Sequence, residues 1–198
     1  MTLTRAEAQS LIKSALKAAT LKDVAVRVRS SSTANLRFAN NAPTTSGEVE
    51  RVDLSVTATR DRSSATVSGT ARDPAGVAEL VRRAEALAAL APADPEHMPP
   101  LGPQTYLRPV AEDPAVIKVG PEARVDAVAR VLKVAREGKL EASGMYVHGH
   151  QSLALGTSAG LFAYHAETEV TLTATCRTPD GSGSGWGGAM SHRLADID

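Results

Sequence analysis

Two groups of residues in this sequence have types and spacing that could do chemistry. Gly156-Thr157-Ser158-Ala159-Gly160 fits G-x-S-x-G, the pattern that lifts a nucleophilic serine on a sharp strand-to-helix turn. Asp180 and His192 follow in the order Ser, Asp, His. The chemistry would be attack of the Ser158 hydroxyl on a carbonyl, with His192 as base and Asp180 orienting it. That turn needs a helix after the serine, whereas Leu161-Phe162-Ala163-Tyr164 reads as a strand. The glycines then supply the backbone angles of a tight hairpin. Serine hydrolysis through Ser158 is therefore the minor reading.

The second group is His148-Gly149-His150. On a strand of period two, both imidazoles lie on one face. They could begin a zinc site, with His165, Glu167 or Glu169 as a third ligand; the alternative is the polar face of a half-exposed sheet. Gly181-Ser182-Gly183-Ser184-Gly185-Trp186-Gly187-Gly188 lacks the Lys-Ser/Thr ending and the following helix of a phosphate loop. Alternate glycines strip one strand face of side chains, so another backbone, such as a peptide adding as a strand, could approach. The plainer reading of this run is a loose hairpin tip. Cys176 on an apolar strand reads as a core thiol, and Arg82-Arg83 as the wet side of a helix.

Three helices and a set of strands must position these residues. Thr4-Arg5-Ala6-Glu7 is a capping box, and Ala8, Leu11, Ile12, Ala15, Leu16 and Ala19 form one face of the helix it opens. Val24 to Arg29, Thr33 to Ala39, Val52 to Thr59 and Ser64 to Gly69 alternate or are β-prone, and together predict an antiparallel meander. Asn40-Asn41 marks a forced reversal, because Asn tolerates left-handed backbone angles. Asp73-Pro74 starts a second helix with a stripe of Val77, Leu80, Val81, Ala84, Leu87, Ala88 and Ala91. Seven prolines between residues 92 and 114 predict an extended connector, with a sub-domain boundary near residue 105. Pro121 opens a third helix with Val125, Val128, Ala129, Leu132 and Ala135 inward. Ala142 to His150, Ser152 to Gly156, Leu161 to Ala166 and Glu169 to Arg177 predict a second meander.

The expected fold is thus α+β: two antiparallel β-meanders packed by three amphipathic helices, in sub-domains 1–104 and 105–198. The halves repeat the same element order, which admits an internal duplication. Val52-Asp53-Leu54-Ser55 lies 118 residues before Val170-Thr171-Leu172-Thr173.

Composition narrows the function classes. The 198 residues carry 22 Lys/Arg and 22 Asp/Glu, with no dense basic patch, so there is no nucleic-acid footprint. One cysteine excludes an intramolecular disulfide and suits a reducing compartment. No apolar run approaches the ~20 residues of a membrane span, and the start lacks the pattern of a signal peptide. These features predict a soluble, cytoplasmic protein.

Four stretches resemble the TldD/PmbA (TldE) family, also described as modulators of DNA gyrase. They are Arg37-Phe38-Ala39-Asn40-Asn41, and then the following strand pair with the Asp73-Pro74 helix leading to Ala91-Pro92-Ala93-Asp94-Pro95-Glu96. The others are Ala154-Leu155-Gly156-Thr157-Ser158-Ala159-Gly160-Leu161, with Thr157 where the family has Asn, and the Ser-Gly-rich segment. The resemblance implies a two-subunit metallopeptidase that processes peptides, with a TldD/TldE-type partner subunit or a homodimer. It implies zinc on an H-E-x-x-x-H helix of a later, C-terminal domain. No such motif occurs here, so no catalytic, cofactor or metal residue is assigned, and zinc is expected only in the C-terminal domain or the partner. The chain is expected to be the N-terminal region, either cut short or naturally so, with a substrate-gating or assembly role. The alternative is a stand-alone, non-catalytic interaction module.

Overall fold

The computed structural model describes residues 2–197. The fold is α+β, as expected. Its elements in chain order are α1 (Arg5–Ala18), β1 (Asp23–Ala39), β2 (Ala42–Arg60), β3 (Ser63–Gly69), α2 (Pro74–Ala88), α3 (Pro114–Ile117), α4 (Pro121–Glu137), β4 (Glu141–Thr157), β5 (Phe162–Arg177), β6 (Ser184–Ser191) and a 3-10 turn (Leu194–Asp196). The two meanders form one sheet, in the order β3-β2-β1-β4-β5-β6. The β1–β4 pair runs antiparallel: the Ser158 amide donates to the Val24 carbonyl, and the Asn41 amide to the Ala142 carbonyl.

Each meander has three strands where the sequence suggested four shorter ones. The expected break at Ser30-Ser31-Ser32 is a continuous strand, because the inward Ser30 hydroxyl accepts the Leu3 amide at 2.7 Å. The break before Ser152 closes in the same way, the buried Ser152 hydroxyl donating to the Leu3 carbonyl at 3.0 Å. A satisfied polar group at an inward position costs the strand little. Residues 42–50, which no predicted strand covered, continue β2 beside β1, with Thr44 and Ser46 hydroxyls donating to the Arg37 and Asn35 carbonyls.

The chain forms two compact units that interleave in sequence. Unit 1 comprises residues 1–30, 51–109 and 152–165; unit 2 comprises 31–50, 110–151 and 166–198. In unit 1, α1 and α2 cover the alternating residues Val24, Val26, Val28, Leu54, Val56 and Ala58. Each of these valines and Leu54, fully buried, contributes about 1.5–3 kcal/mol. The capping box forms as expected, the Thr4 amide reaching Glu7 Oε2 at 2.7 Å and the Glu7 amide reaching Thr4 Oγ1 at 3.3 Å. At the other end of α1 the Glu85 carboxylate of α2 accepts from the Thr20 and Leu21 amides, at 2.6 and 2.8 Å, and from the Thr20 hydroxyl. Burial raises the Glu85 pKa, but these hydrogen bonds and Arg60 outweigh it, so the carboxyl lies below its usual range.

In unit 2, α4 covers Leu36, Phe38, Ala142, Tyr146 and Val170. Its buried stripe is Arg124, Ala127, Val128, Leu132 and Ala135. Val125 and Ala129, expected inward, are exposed, because the helix is rotated to take Arg124 inside. Leu87 on α2 is likewise exposed, its inward place taken by Glu85. The Pro-rich connector turns at residues 95–96 and forms no helix or strand until Asp113, whose side chain caps the unforeseen α3 by accepting the Ala115 amide at 2.8 Å.

Candidate functional site

The strongest candidate site is built from the stretch expected to be a loose hairpin tip. Residues Ser184–Ser191 are instead a regular strand, β6, paired antiparallel with β5 from Val170↔Ser191 to Arg177↔Ser184. Its sequence, Ser-Gly-Trp-Gly-Gly-Ala-Met-Ser, carries no charge and three glycines. Intrinsic preference for a strand is weak in such a segment, so its order comes from what holds its ends.

The entry end is fixed by a tight turn. Gly181 sits at φ +73, which glycine adopts without strain, and its amide donates to the Thr178 carbonyl at 2.9 Å. The Gly183 amide donates to Thr178 Oγ1, and the Thr178 amide to the Gly183 carbonyl. Asp180 accepts the Ser182 amide and hydroxyl at 3.1 and 2.8 Å. The Thr178 hydroxyl and the two Ser182 donors bring the Asp180 pKa down to about 2. The exit end is fixed as well. The Thr168 hydroxyl donates to the His192 carbonyl at 2.7 Å, the Leu194 amide to Asp113 Oδ2 at 2.9 Å, and the Ser191 hydroxyl to Asp196 Oδ2 at 2.6 Å.

The Thr178–Gly183 bond sets which groups of β6 face outward. In an antiparallel ladder every second pair exchanges hydrogen bonds. The pairs 176↔185, 174↔187 and 172↔189 therefore turn inward toward β5, and the free amides and carbonyls belong to Ser184, Trp186, Gly188 and Met190. β6 ends the strand order, so this row has no strand partner among the described residues. Trp186 and Met190 stand 71% and 70% exposed beside it. A Cβ at Gly188 would lie 3.1 Å from Trp186 Cζ2 and 3.0 Å from Thr173 Cγ2, so the indole leans over that glycine. A Cβ at Gly185 or Gly187, on the opposite face, would meet nothing within 4 Å.

The residues first considered for catalysis are employed elsewhere. The Ser158 hydroxyl donates to the Lys22 carbonyl at 2.6 Å and accepts the Val24 amide at 3.1 Å, so its proton goes to a backbone oxygen and not to a base. It sits in the β4–β5 hairpin, where Gly160 takes φ +94. Asp180 serves the β6 turn, and the backbone of His192 serves the strand's exit.

His148 and His150 do share a strand face, but each has its own partner. His150 Nε2 lies 2.7 Å from Glu112 Oε1. His148 Nε2 lies 3.2 Å from Nη1 of the buried Arg124, whose Nη2 donates to Glu48 Oε1 at 2.8 Å. Burial, and then Arg124, hold the His148 pKa below its usual value, against a hydrogen bond to the Val116 backbone. A neutral imidazole that accepts from a guanidinium offers no lone pair to a metal. Among the described residues no group of three or more His, Cys, Asp or Glu side chains could hold a metal ion. The zinc site that the spacing of His148 and His150 suggested, with His165, Glu167 or Glu169 as a third ligand, is therefore not assembled among the described residues. Cys176 is half-buried against the unit 2 core.

Sequence reasoning missed Arg124 and the exposed pair Trp186/Met190. Arg124 keeps the helical period with 128, 132 and 135, but a charged residue there reads as exposed until its partners are known. For β6 the signal was the uncharged run between Asp180 and His192.

Residues 24–88 match the family model PmbA/TldA metallopeptidase domain 1. The chain superposes on TldE from Thermococcus kodakarensis with TM-score 0.80 and 15% identity, covering 93% of this chain and 42% of that one. It superposes on a candidate modulator of a DNA gyrase from Thermotoga maritima with TM-score 0.76 and 14% identity, covering 89% and 41%. A third match, a candidate modulator of DNA gyrase from Bacteroides thetaiotaomicron, has TM-score 0.78 and 16% identity, covering 96% and 45%. The chain thus spans less than half the length of these proteins. No curated protein sequence matches it. The resemblance to the TldD/PmbA family, carried in the sequence by short motifs, holds in both the family model and the fold.

Proposed function

We propose that the chain is the N-terminal, substrate-gating region of a TldD/TldE-like metallopeptidase subunit, and that it holds an extended peptide along the free edge of β6. The zinc and the hydrolytic chemistry then belong to a C-terminal domain or a partner subunit. This chain's part is to present the peptide.

One observation carries the reading: the uncharged β6 edge, fixed at both ends and left without a strand neighbour among the described residues. Proteins ordinarily blunt such edges with charge, proline, bulges or a covering element. An edge left flat is suited to β-augmentation, in which main-chain hydrogen bonds supply affinity without demanding a sequence. That suits a gate for unfolded segments of varied sequence.

Titration with an unstructured peptide of about seven residues, followed by amide chemical shifts, tests this. The largest shifts are expected at Ser184, Trp186, Gly188 and Met190. Shifts confined to α1, α2 and α4, or no shifts, overturn it. No helix among the described residues is long and apolar enough to cross a membrane.

A further inference from the structure

We infer that β6 reads the docked strand on one face only, and that it selects an apolar side chain at the position opposite Gly188. The inference rests on the docking reading above and concerns what kind of peptide the edge prefers.

The argument follows from the register. The outward amides and carbonyls belong to the even-numbered residues of β6, so an added strand makes its hydrogen-bonded pairs with Ser184, Trp186, Gly188 and Met190. Directly opposed residues of neighbouring strands project to the same face. Guest side chains opposite these four therefore lie on the face that carries the Trp186 indole and the Met190 thioether. The position opposite Gly188 is diagonal to both, and diagonal neighbours at roughly 7–8 Å are within reach of aromatic and long side chains. The lean of the indole over Gly188 brings its ring toward that position. The neighbours on this face of β5 are Thr171, Thr173 and Thr175, which offer methyls and hydroxyls but no charge. A carboxylate placed there would lose hydration with nothing of opposite sign on β6 to replace it.

The intervening guest side chains project to the other face, beside Gly185, Gly187 and Ala189. Space is open over both glycines, so guest positions beside them meet no Cβ, and the one beside Ala189 meets a single methyl that makes no polar or charged demand; these positions are not read. The ligand class that follows is an extended, proline-free peptide with an uncharged apolar residue at one position and free choice at its two neighbours.

The test is a host peptide of Ser and Thr with one central guest, titrated into the whole chain and read at the amides of Ser184, Gly188 and Met190. Trp186 is the sole tryptophan, so its fluorescence gives a second readout in the native protein. Leu or Phe guests are expected to bind about three- to tenfold more tightly than Ala or Asp guests, the scale of a cross-strand aromatic contact. Trp186→Ala should remove that preference while leaving the amide shifts with the Ala guest. Changing the residues flanking the guest should have no effect. Equal affinity for all guests overturns the selectivity and leaves docking standing. An Arg guest binding more tightly than Leu also overturns it, because the indole face would then be a cation site. No shifts with any guest would sink docking and selectivity together. Protection of the same amides that grows with protein concentration in the absence of peptide also overturns it, since the occupant would then be a second copy of this chain.

Discussion

The two outermost strands, β3 and β6, hold corresponding places in their meanders and meet the edge problem differently. β3 is followed at once by α2, which packs on it, and Leu80 of α2 lies so close that a Cβ at Gly69 would come within 2.9 Å of its Cδ2. Its polar side chains are tied to β2 by hydroxyl pairs: Ser55 with Ser68, Thr57 with Thr66, and Thr59 with Ser64, at 2.8–2.9 Å. Among the described residues no α-helix packs on β6; its side chains from Ser184 to Met190 stand exposed, and a Cβ at Gly185 or Gly187 would meet open space. The stretch of β2 beyond β3, residues 42–53, is also without a strand on its outer side in the observed pairing, but it carries Pro43, Glu48, Glu50, Arg51 and Asp53. Charge and proline are the usual means of blunting an edge; the β2 stretch has both, β3 and β6 have neither, and of those two only β3 has an α-helix packed on it among the described residues. The difference separates an edge that a helix of this chain packs against from one uncovered among the described residues.

The largest predicted effect removes the cover from β3. Leu80→Ala should destabilise the protein by about 2–5 kcal/mol, measured by urea titration, and should speed amide exchange along β3. If β3 exchange stays unchanged, α2 is not what closes that edge.

A paired substitution comes next. Gly69→Val drives a branched side chain into Leu80 and should cost about 1–3 kcal/mol. Gly187→Val enters open space, removes a flexible glycine and should leave stability equal or slightly raised. Equal costs would erase the contrast between the strands.

Acidification should distinguish the units in order. His148 in unit 2 has a lowered pKa, chiefly through burial. The unfolded chain therefore takes up its proton first, and the stability present above pH ~6.5 is lost as pH falls toward the folded value. Glu85 in unit 1 is also lowered, so its contribution is present above pH ~4.5 and is lost only in more acid solution. Amide exchange in unit 2 should thus quicken between pH 7 and 5 before exchange in unit 1 does, and His148→Gln should flatten that response. The reverse order would contradict this assignment.

The smallest effect is expected in the hydroxyl ladder. Thr57→Val breaks one exposed pair and should cost about 0.2–1 kcal/mol, whereas Trp186→Ser on β6 should leave the urea midpoint within error.

What the sequence made legible was local. Thr4/Glu7 and Asp73-Pro74 announced two helices through capping chemistry that needs only three or four residues. Asn40-Asn41 announced the first hairpin, and both residues take positive φ, 48 and 60. Gly160 did the same for the β4–β5 turn. What stayed hidden depended on distant partners. Ser30 and Ser152 look like strand breaks until the Leu3 backbone satisfies them, from 27 and 149 residues away. Arg124 looks like the wet side of a helix until Glu48 and His148 meet it. β6 looks like a flexible tip because its glycines carry no strand preference, and its order is supplied by Thr178, Asp180, Thr168 and Asp113. The candidate site thus lies where local propensity and tertiary structure disagree.

The central claim is that β6, and not β3, is the edge that takes a strand. The most direct measurement is the set of cross-strand nuclear Overhauser contacts between a bound, isotope-labelled peptide and the chain's amide and α protons. The account predicts contacts to Ser184, Trp186, Gly188 and Met190, in alternation along the peptide, and none to β3. Contacts to β3, or to residues 42–53 of β2, would contradict it.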